Sequence, residues 1–574
     1  MQPKKIAARF LVSAAVLGVF ASSTAPIAVP FFGTTTASAA SDVRDDTSER
    51  SITVHKYQRG TTATTDGETT AGIGNEKGID GAKPLANVPF VTVKIAPATG
   101  KTGSDIDLSK LESGADLAAI TAGETAGNYT VVGASTNYTG KTDEDGSYKF
   151  ELGTGKAADG YYITSELASK SVKAPHAPTL VALPRTIDDK LVYDVQLNPK
   201  NDIVNDLSVN KFIENSKLEG AYAGSTKTYT FAANAPAGLS DSINGSIVTA
   251  KKFELLDALN ANLSYAGNLK FAVGKVSDGD TELSTATPIS LNAGTDYTIA
   301  APTGFGGVLK IDFTSAGMTK VANAVATTGE DAKLLTSFDT TVKADSKLTG
   351  LIANYLTVDY TNANGVEMDK TTVPGTPTFT QDTPVPDPLY PKTTVTENVP
   401  EIALGGFDGV KEDEKSKEPI AGAKFKIAAS QADATAGNYL RYKSATDETI
   451  LTPKDSGYAA GTDIELTSNA DGEFSLGGLS VDGKLGTDYF VVETHAPKGY
   501  DRISDPVKVH VTIATLDGKV DQEFLDAKQT ILPMTGTNLA LAGLALVAIV
   551  GAGGAFILNK NNKSIDAALD ELTD

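Results

Sequence analysis

The chain has 574 residues, 40% of them hydrophobic and 21% charged, which is enough apolar material for several cores rather than one. Acids outnumber bases 71 to 50, a formal charge of −21, and that balance excludes a nucleic-acid-binding protein, whose target phosphates demand a basic footprint. Cysteine is absent and the four histidines (His55, His176, His495, His510) lie far apart, so disulfides, thiolate metal sites and cysteine nucleophiles are excluded and histidine-centred catalysis has little material.

In chain order, Lys4, Lys5 and Arg9, the apolar stretch Phe10–Ala21 and the small residues Ala37-Ser38-Ala39 read as a secretory signal over residues 1–39. Residues 40–200 carry short alternating runs such as Ile52-Thr53-Val54, set between Gly, Asp and Asn turns. Residues 201–372 continue the alternation, as in Thr226–Phe231 and Leu309–Phe313, with helical patches near 314–336. From Val373 to Glu401 there are seven prolines, which read as an extended linker over 373–400 that cannot be a central strand. Residues 401–531 return to alternation, with Val507–Ile513 the longest run. Residues 532–574 hold Leu532-Pro533-Met534-Thr535-Gly536, then an uncharged run of 20 residues, Leu539–Leu558, long enough to cross a bilayer, then Lys560 and Lys563 and an acidic tail.

The body contains a repeat. Pro84–Phe90 resembles Pro419–Phe425, Thr142-Asp143-Glu144-Asp145-Gly146 matches Ser468–Gly472, and Tyr162–Glu166 matches Tyr489–Glu493. Three blocks in the same order predict two related domains, roughly 45–200 and 400–530, flanking a third. The predicted fold class is all-β: three tandem immunoglobulin-like, CnaB-like β-sandwiches in an elongated rod.

Three resemblances then bring function. The order of pentapeptide, apolar run and cations is similar to the sorting signal of Gram-positive wall proteins. It implies that a sortase cysteine attacks the Thr535 carbonyl, releases Gly536 and passes the chain to an amine. Tyr489-x-Val491-x-Glu493-Thr494-x-Ala496-Pro497-x-Gly499-Tyr500 resembles the E-box of wall-anchored pilins. There the glutamate promotes an amide between a first-strand lysine and a last-strand Asn or Asp, and these roles fall on Glu493, Lys411 and Asp526. Burial makes a lysine a neutral nucleophile, and a neutral carboxylic acid beside it can hydrogen-bond the attacked carbonyl and move protons. Residues 201–372 resemble the fimbrial isopeptide-formation domain, which assigns Lys211 as nucleophile, Asn354 as electrophile and Asp257 as the acid, with Glu254 the competing acid. In the first domain Lys56 and Glu166 occupy the matching places, but no Asn or Asp stands clearly opposite. Asn198 is the candidate there, and without a partner Glu166 serves only the fold.

Leu191–Asn201 resembles the pilin motif, whose lysine receives the threonine of the next subunit. Val195, Pro199 and Lys200 match outright, whereas Leu191 and Asn198 replace its Trp and Tyr. Together these features are similar to the sortase-assembled major pilins. The resemblance implies a wall-anchored shaft subunit joined through Thr535 to Lys200 of the next copy. Its implied partners are copies of itself, a pilin-specific and a housekeeping sortase, minor pilins, peptidoglycan and host surface ligands, and no nucleic acid. The alternative is a monomeric wall adhesin or a minor basal or tip pilin. No nucleophile elbow, metal-spaced cluster or phosphate-cradling loop is present, so neither an enzyme with turnover nor a cofactor is expected.

Overall fold

The computed structural model describes residues 44–529, apart from 60–80, 134–136, 188–189, 215, 277–285, 330, 374–393, 397–398, 483–485, 514–515 and 517–520. The expected signal peptide and the expected sorting signal, with Leu532–Gly536 and Leu539–Leu558, lie outside these residues. Among the described residues no helix is long and apolar enough to cross a membrane.

The chain is all-β, as the alternation predicts. In the first domain the strand Glu49–His55 lies between Ser147–Thr154, antiparallel, and Asp194–Leu197, parallel. A second sheet places Pro89–Pro97 beside Gly160–Glu166, which pairs in turn with Thr179–Leu183. The last domain repeats this arrangement. Glu401–Asp413 pairs antiparallel with Glu473–Ser480 and parallel with Gln522–Lys528. Opposite them Lys424–Ala428, Thr487–His495 and Val507–Val511 form the second sheet. The two faces enclose Ile52, Val54, Phe90, Phe150 and Val195 in one domain, and Phe407, Phe425, Phe474, Tyr489 and Phe524 in the other. The last set includes Phe425 stacked on Phe474 at 4.2 Å.

The middle domain is built on the 24-residue strand Lys252–Lys275. Its first half pairs with Phe305–Phe313 and Tyr355–Thr361. Past the irregularities around Gly267 its second half pairs mainly with Ala332–Val342. Of the helical patches expected near 314–336, Ser315–Thr328 is a helix capped by the Thr314 hydroxyl, and the remainder opens the strand at Ala332. Val399 and Pro400, at the end of the expected linker, are buried. The strand that opens the last domain starts inside the middle one, where Glu401–Leu404 lies between Leu218–Gly220 and Gly350–Ala353.

Candidate cross-linking sites

Each domain buries one lysine completely: Lys56, Lys211 and Lys411 are all 0% exposed. The repeat explains how two of them are held. The amide of Lys56 donates to the Gly146 carbonyl at 2.7 Å and its carbonyl accepts from Leu85 N–H at 2.9 Å. Lys411 makes the same pair with Gly472 and Ile420, at 2.7 and 2.8 Å. A Cβ on Gly146 or Gly472 would come within 2.6 or 2.4 Å of that lysine's carbonyl oxygen, and both glycines have φ above +70°, so only glycine fits. Thr142 and Ser468 tie the first repeat block to the second. Their hydroxyls donate to Leu85 O and Ile420 O at 2.6 and 2.7 Å and accept from Val88 N–H and Ala423 N–H at 3.0 Å. The third block supplies the glutamate.

In the last domain Lys411 Nζ lies 3.3 Å from Glu493 Oε2 and in direct contact with Asp526 Oδ1. All three side chains are excluded from solvent. The parallel pairing of Lys411 with Phe524 and of Asp413 with Asp526 brings the last strand alongside the first. Burial, reinforced by the Asp526 carboxyl, pushes the Glu493 carboxyl above the usual range.

In the middle domain Lys211 Nζ donates to Asp257 Oδ2 at 2.5 Å and to the Tyr355 carbonyl at 3.1 Å, beneath the rings of Tyr229 and Phe231. Burial raises Asp257 to about 6 and lowers Lys211 to about 8. Asn354 is fully buried against this carboxyl, and among the described residues neither of its amide atoms has a well-formed hydrogen bond. An orphaned buried amide is costly, and here it lies at the lysine's door. Glu254 is not part of the site. Three residues from Asp257 in one strand, it faces the other way and pairs with Lys310 at 2.5 Å and Lys252 at 3.6 Å.

The first domain holds a third set. Lys56 Nζ donates to Glu166 Oε2 at 2.6 Å and to Asn201 Oδ1 at 2.8 Å, and Asn201 Nδ2 contacts Glu166 Oε1. Burial drives the lysine down from its ordinary value. This corrects the expectation for Asn198, which is buried away from Lys56. Pro199 interrupts the strand after Leu197, and a new two-residue strand, Lys200–Asn201, pairs parallel with Tyr57–Gln58. The register of Asp194–Leu197 continues unchanged across this break, so Pro199 stands opposite Lys56, and Asn201, two residues further on as Asp526 is beyond Phe524, comes back to the lysine's face whereas Asn198 does not. The signal that could have found it was the spacing of the partners: Asn201 stands just beyond Lys200, as the last strand reaches the level of the first. Lys200 is half-buried and, as the strand neighbour of Asn201, belongs to the opposite face. Thr535 and the rest of its pentapeptide lie outside the described residues.

Three comparisons bear on the class of protein. Residues 47–202 match the family model described as Gram-positive pilin subunit D1, N-terminal domain, and residues 405–524 match the prealbumin-like fold domain. A fimbrial subunit type 1 of Actinomyces viscosus is 26% identical over 549 residues, covering 90% of this chain and 91% of its own length. Among solved structures, the full-length major pilin SpaD of Corynebacterium diphtheriae is 19% identical, with 85% of this chain and 99% of that one covered and a TM-score of 0.36. For the RrgB pilus protein of Streptococcus pneumoniae the figures are 16%, 86%, 100% and 0.41. Residues 47–202 thus carry a Gram-positive pilin N-terminal domain, and the comparisons support a Gram-positive fimbrial or pilin subunit.

Proposed function

We propose that this pilin is the backbone subunit of a covalent shaft, stiffened by three internal amides. The observation that carries the reading is the recurrence in every domain of a buried lysine, a buried acid and a buried Asn or Asp in or beside a strand late in the domain. In each site a proton passes from the lysine ammonium to the acid, and the neutral amine attacks the side-chain carbonyl carbon. A C–N bond forms, the acid gives its proton to the departing group and takes the surplus proton from the attacking nitrogen, and the C–N bond of Asn201 or Asn354 breaks to release ammonia, or the C–O bond of Asp526 to release water. Glu166, Asp257 and Glu493 are the acids. Each reaction occurs once, without turnover.

Between subunits, a pilin sortase cleaves after Thr535 and joins its carbonyl to Lys200 of the next copy, while a housekeeping sortase attaches the finished fibre to peptidoglycan. Head-to-tail joining through two different surfaces gives an open fibre rather than a closed ring. The adjacency of Lys200 to Asn201 supports this reading mechanically, since tension entering at Lys200 meets the Lys56–Asn201 amide one residue away. Immunoblots of boiled, denatured wall extracts test it. Wild type gives a high-mass ladder and Lys200→Ala gives monomer. A ladder in both moves the linkage to another lysine, and no ladder in either leaves a monomeric wall adhesin.

A further inference from the structure

The first and last domains share a contact that lies outside the three reacting groups. In each, a main-chain N–H ten residues after the glutamate donates to the same carboxylate oxygen that faces the lysine. His176 N–H reaches Glu166 Oε2 at 3.0 Å and Ile503 N–H reaches Glu493 Oε2 at 2.8 Å. The loops that carry these donors are also fastened alike, each to the residues just after the amide acceptor. In the first domain Lys173 N–H donates to Asp202 O at 2.9 Å, Val204 N–H donates to Ser171 O at 3.0 Å, and Val172 bridges Ile203. In the last, Tyr500–Asp501 pairs antiparallel with Ala527–Lys528, and the Arg502 guanidinium holds the Glu493 carbonyl at 3.0 Å. The side chains at the two donor positions, imidazole and isoleucine, have nothing in common, so what recurs is the backbone donor.

We infer that the His176 and Ile503 amides are positioning groups for cross-linking. Each fixes one glutamate oxygen toward the lysine and leaves the other for the acceptor, and each comes into place only when the last strand docks. This rests on the cross-linking reading above. The geometry has that consequence because a carboxyl group free to rotate presents either oxygen to either partner. With Oε2 taken by lysine and backbone, Oε1 is committed to Asn201, as its contact with Asn201 Nδ2 shows in the first domain. The middle domain provides the contrast. There the shorter Asp257 side chain meets Lys211 through Oδ2, with no main-chain donor on that oxygen among the described residues, while its Oδ1, like Glu493 Oε1, has no well-formed hydrogen bond there.

The test follows amide formation in the full chain during a chase after cell-free translation, by quantifying the branched Lys411–Asp526 peptide. Ile503 is replaced either by alanine, which keeps the N–H, or by its α-hydroxy analogue, which exchanges the amide for an ester and removes only the donor. The ester slows the reaction about tenfold, the effect of one buried hydrogen bond, and Ile503→Ala stays within about twofold of wild type. The ester also moves the acidic limb of the pH–rate profile upward, because the N–H favours ionised Glu493, whose other charged neighbours, Lys411, Asp526 and Arg502, are unchanged. The Lys211–Asn354 amide of the same molecules forms at its wild-type rate. An ester variant that cross-links as fast as wild type overturns the assignment. Equal slowing of the middle-domain amide also overturns it and points to folding. If wild type forms no Lys411–Asp526 amide, the cross-linking reading itself fails, a result distinguishable before any variant is made.

Discussion

A lysine sealed inside a sandwich has to be paired, neutral or consumed, because an unpaired buried ammonium loses its hydration without return. Lys211 displays the first two pressures at once, since burial lowers it to about 8 while Asp257 rises to about 6. If Asn354→Ala stops the amide from forming, both groups persist and stability becomes pH-dependent in a defined way. Asp257, raised in the folded state, contributes stability below pH about 4 that is lost as the pH climbs through 6. Lys211, depressed in the folded state, contributes above pH about 10 and loses it as the pH falls through 8. The Asn354→Ala variant is therefore least stable between pH 6 and 8, by a few kcal/mol relative to the same chain with Lys211→Met and Asp257→Leu. Urea midpoints of the two chains across pH 4–10 measure the difference; parallel curves would show that the pair does not titrate in this way.

At the scale of strands, the position of a cross-link is a matter of register. Asn201→Ala is expected to abolish the first-domain amide, whereas Asn198→Ala leaves it intact, and the mass of the Lys56-containing tryptic peptide reads out both. In the last domain the twelve-residue E-box resemblance named Glu493 and, with it, Lys411 and Asp526, and the structure brings these three side chains together. The resemblance of residues 201–372 to the fimbrial isopeptide-formation domain likewise named Lys211, Asp257 and Asn354, which the structure brings together. The sequence did not reveal Asn201, because the residue that reaches the lysine is fixed by pairing across the domain, with Tyr57–Gln58, rather than by local pattern. The shared strand Glu401–Leu404 was hidden for the same reason: its middle-domain partners, Leu218–Gly220 and Gly350–Ala353, are distant in sequence. The backbone donors His176 and Ile503 left no side-chain signature to read.

Across the whole molecule, the three amides would staple long loops. Lys56 and Asn201 are 145 residues apart, and by analogy with a disulfide closing a loop of that size restricts the unfolded chain by about 5 kcal/mol. Asn201→Ala should therefore lower the unfolding free energy of the first domain by roughly that amount in urea titrations; a loss below about 1 kcal/mol would mean that the amide constrains little. An amide also resists reduction, which gives a physical reason for a surface fibre to dispense with cysteine. All of this depends on bonds that form between groups now seen side by side. Peptide mass spectrometry of the chain recovered from cells tests it most directly. Three branched peptides should appear, Lys56–Asn201 and Lys211–Asn354 each lighter by one ammonia and Lys411–Asp526 lighter by one water. Linear peptides carrying all six residues at their full masses would contradict the account.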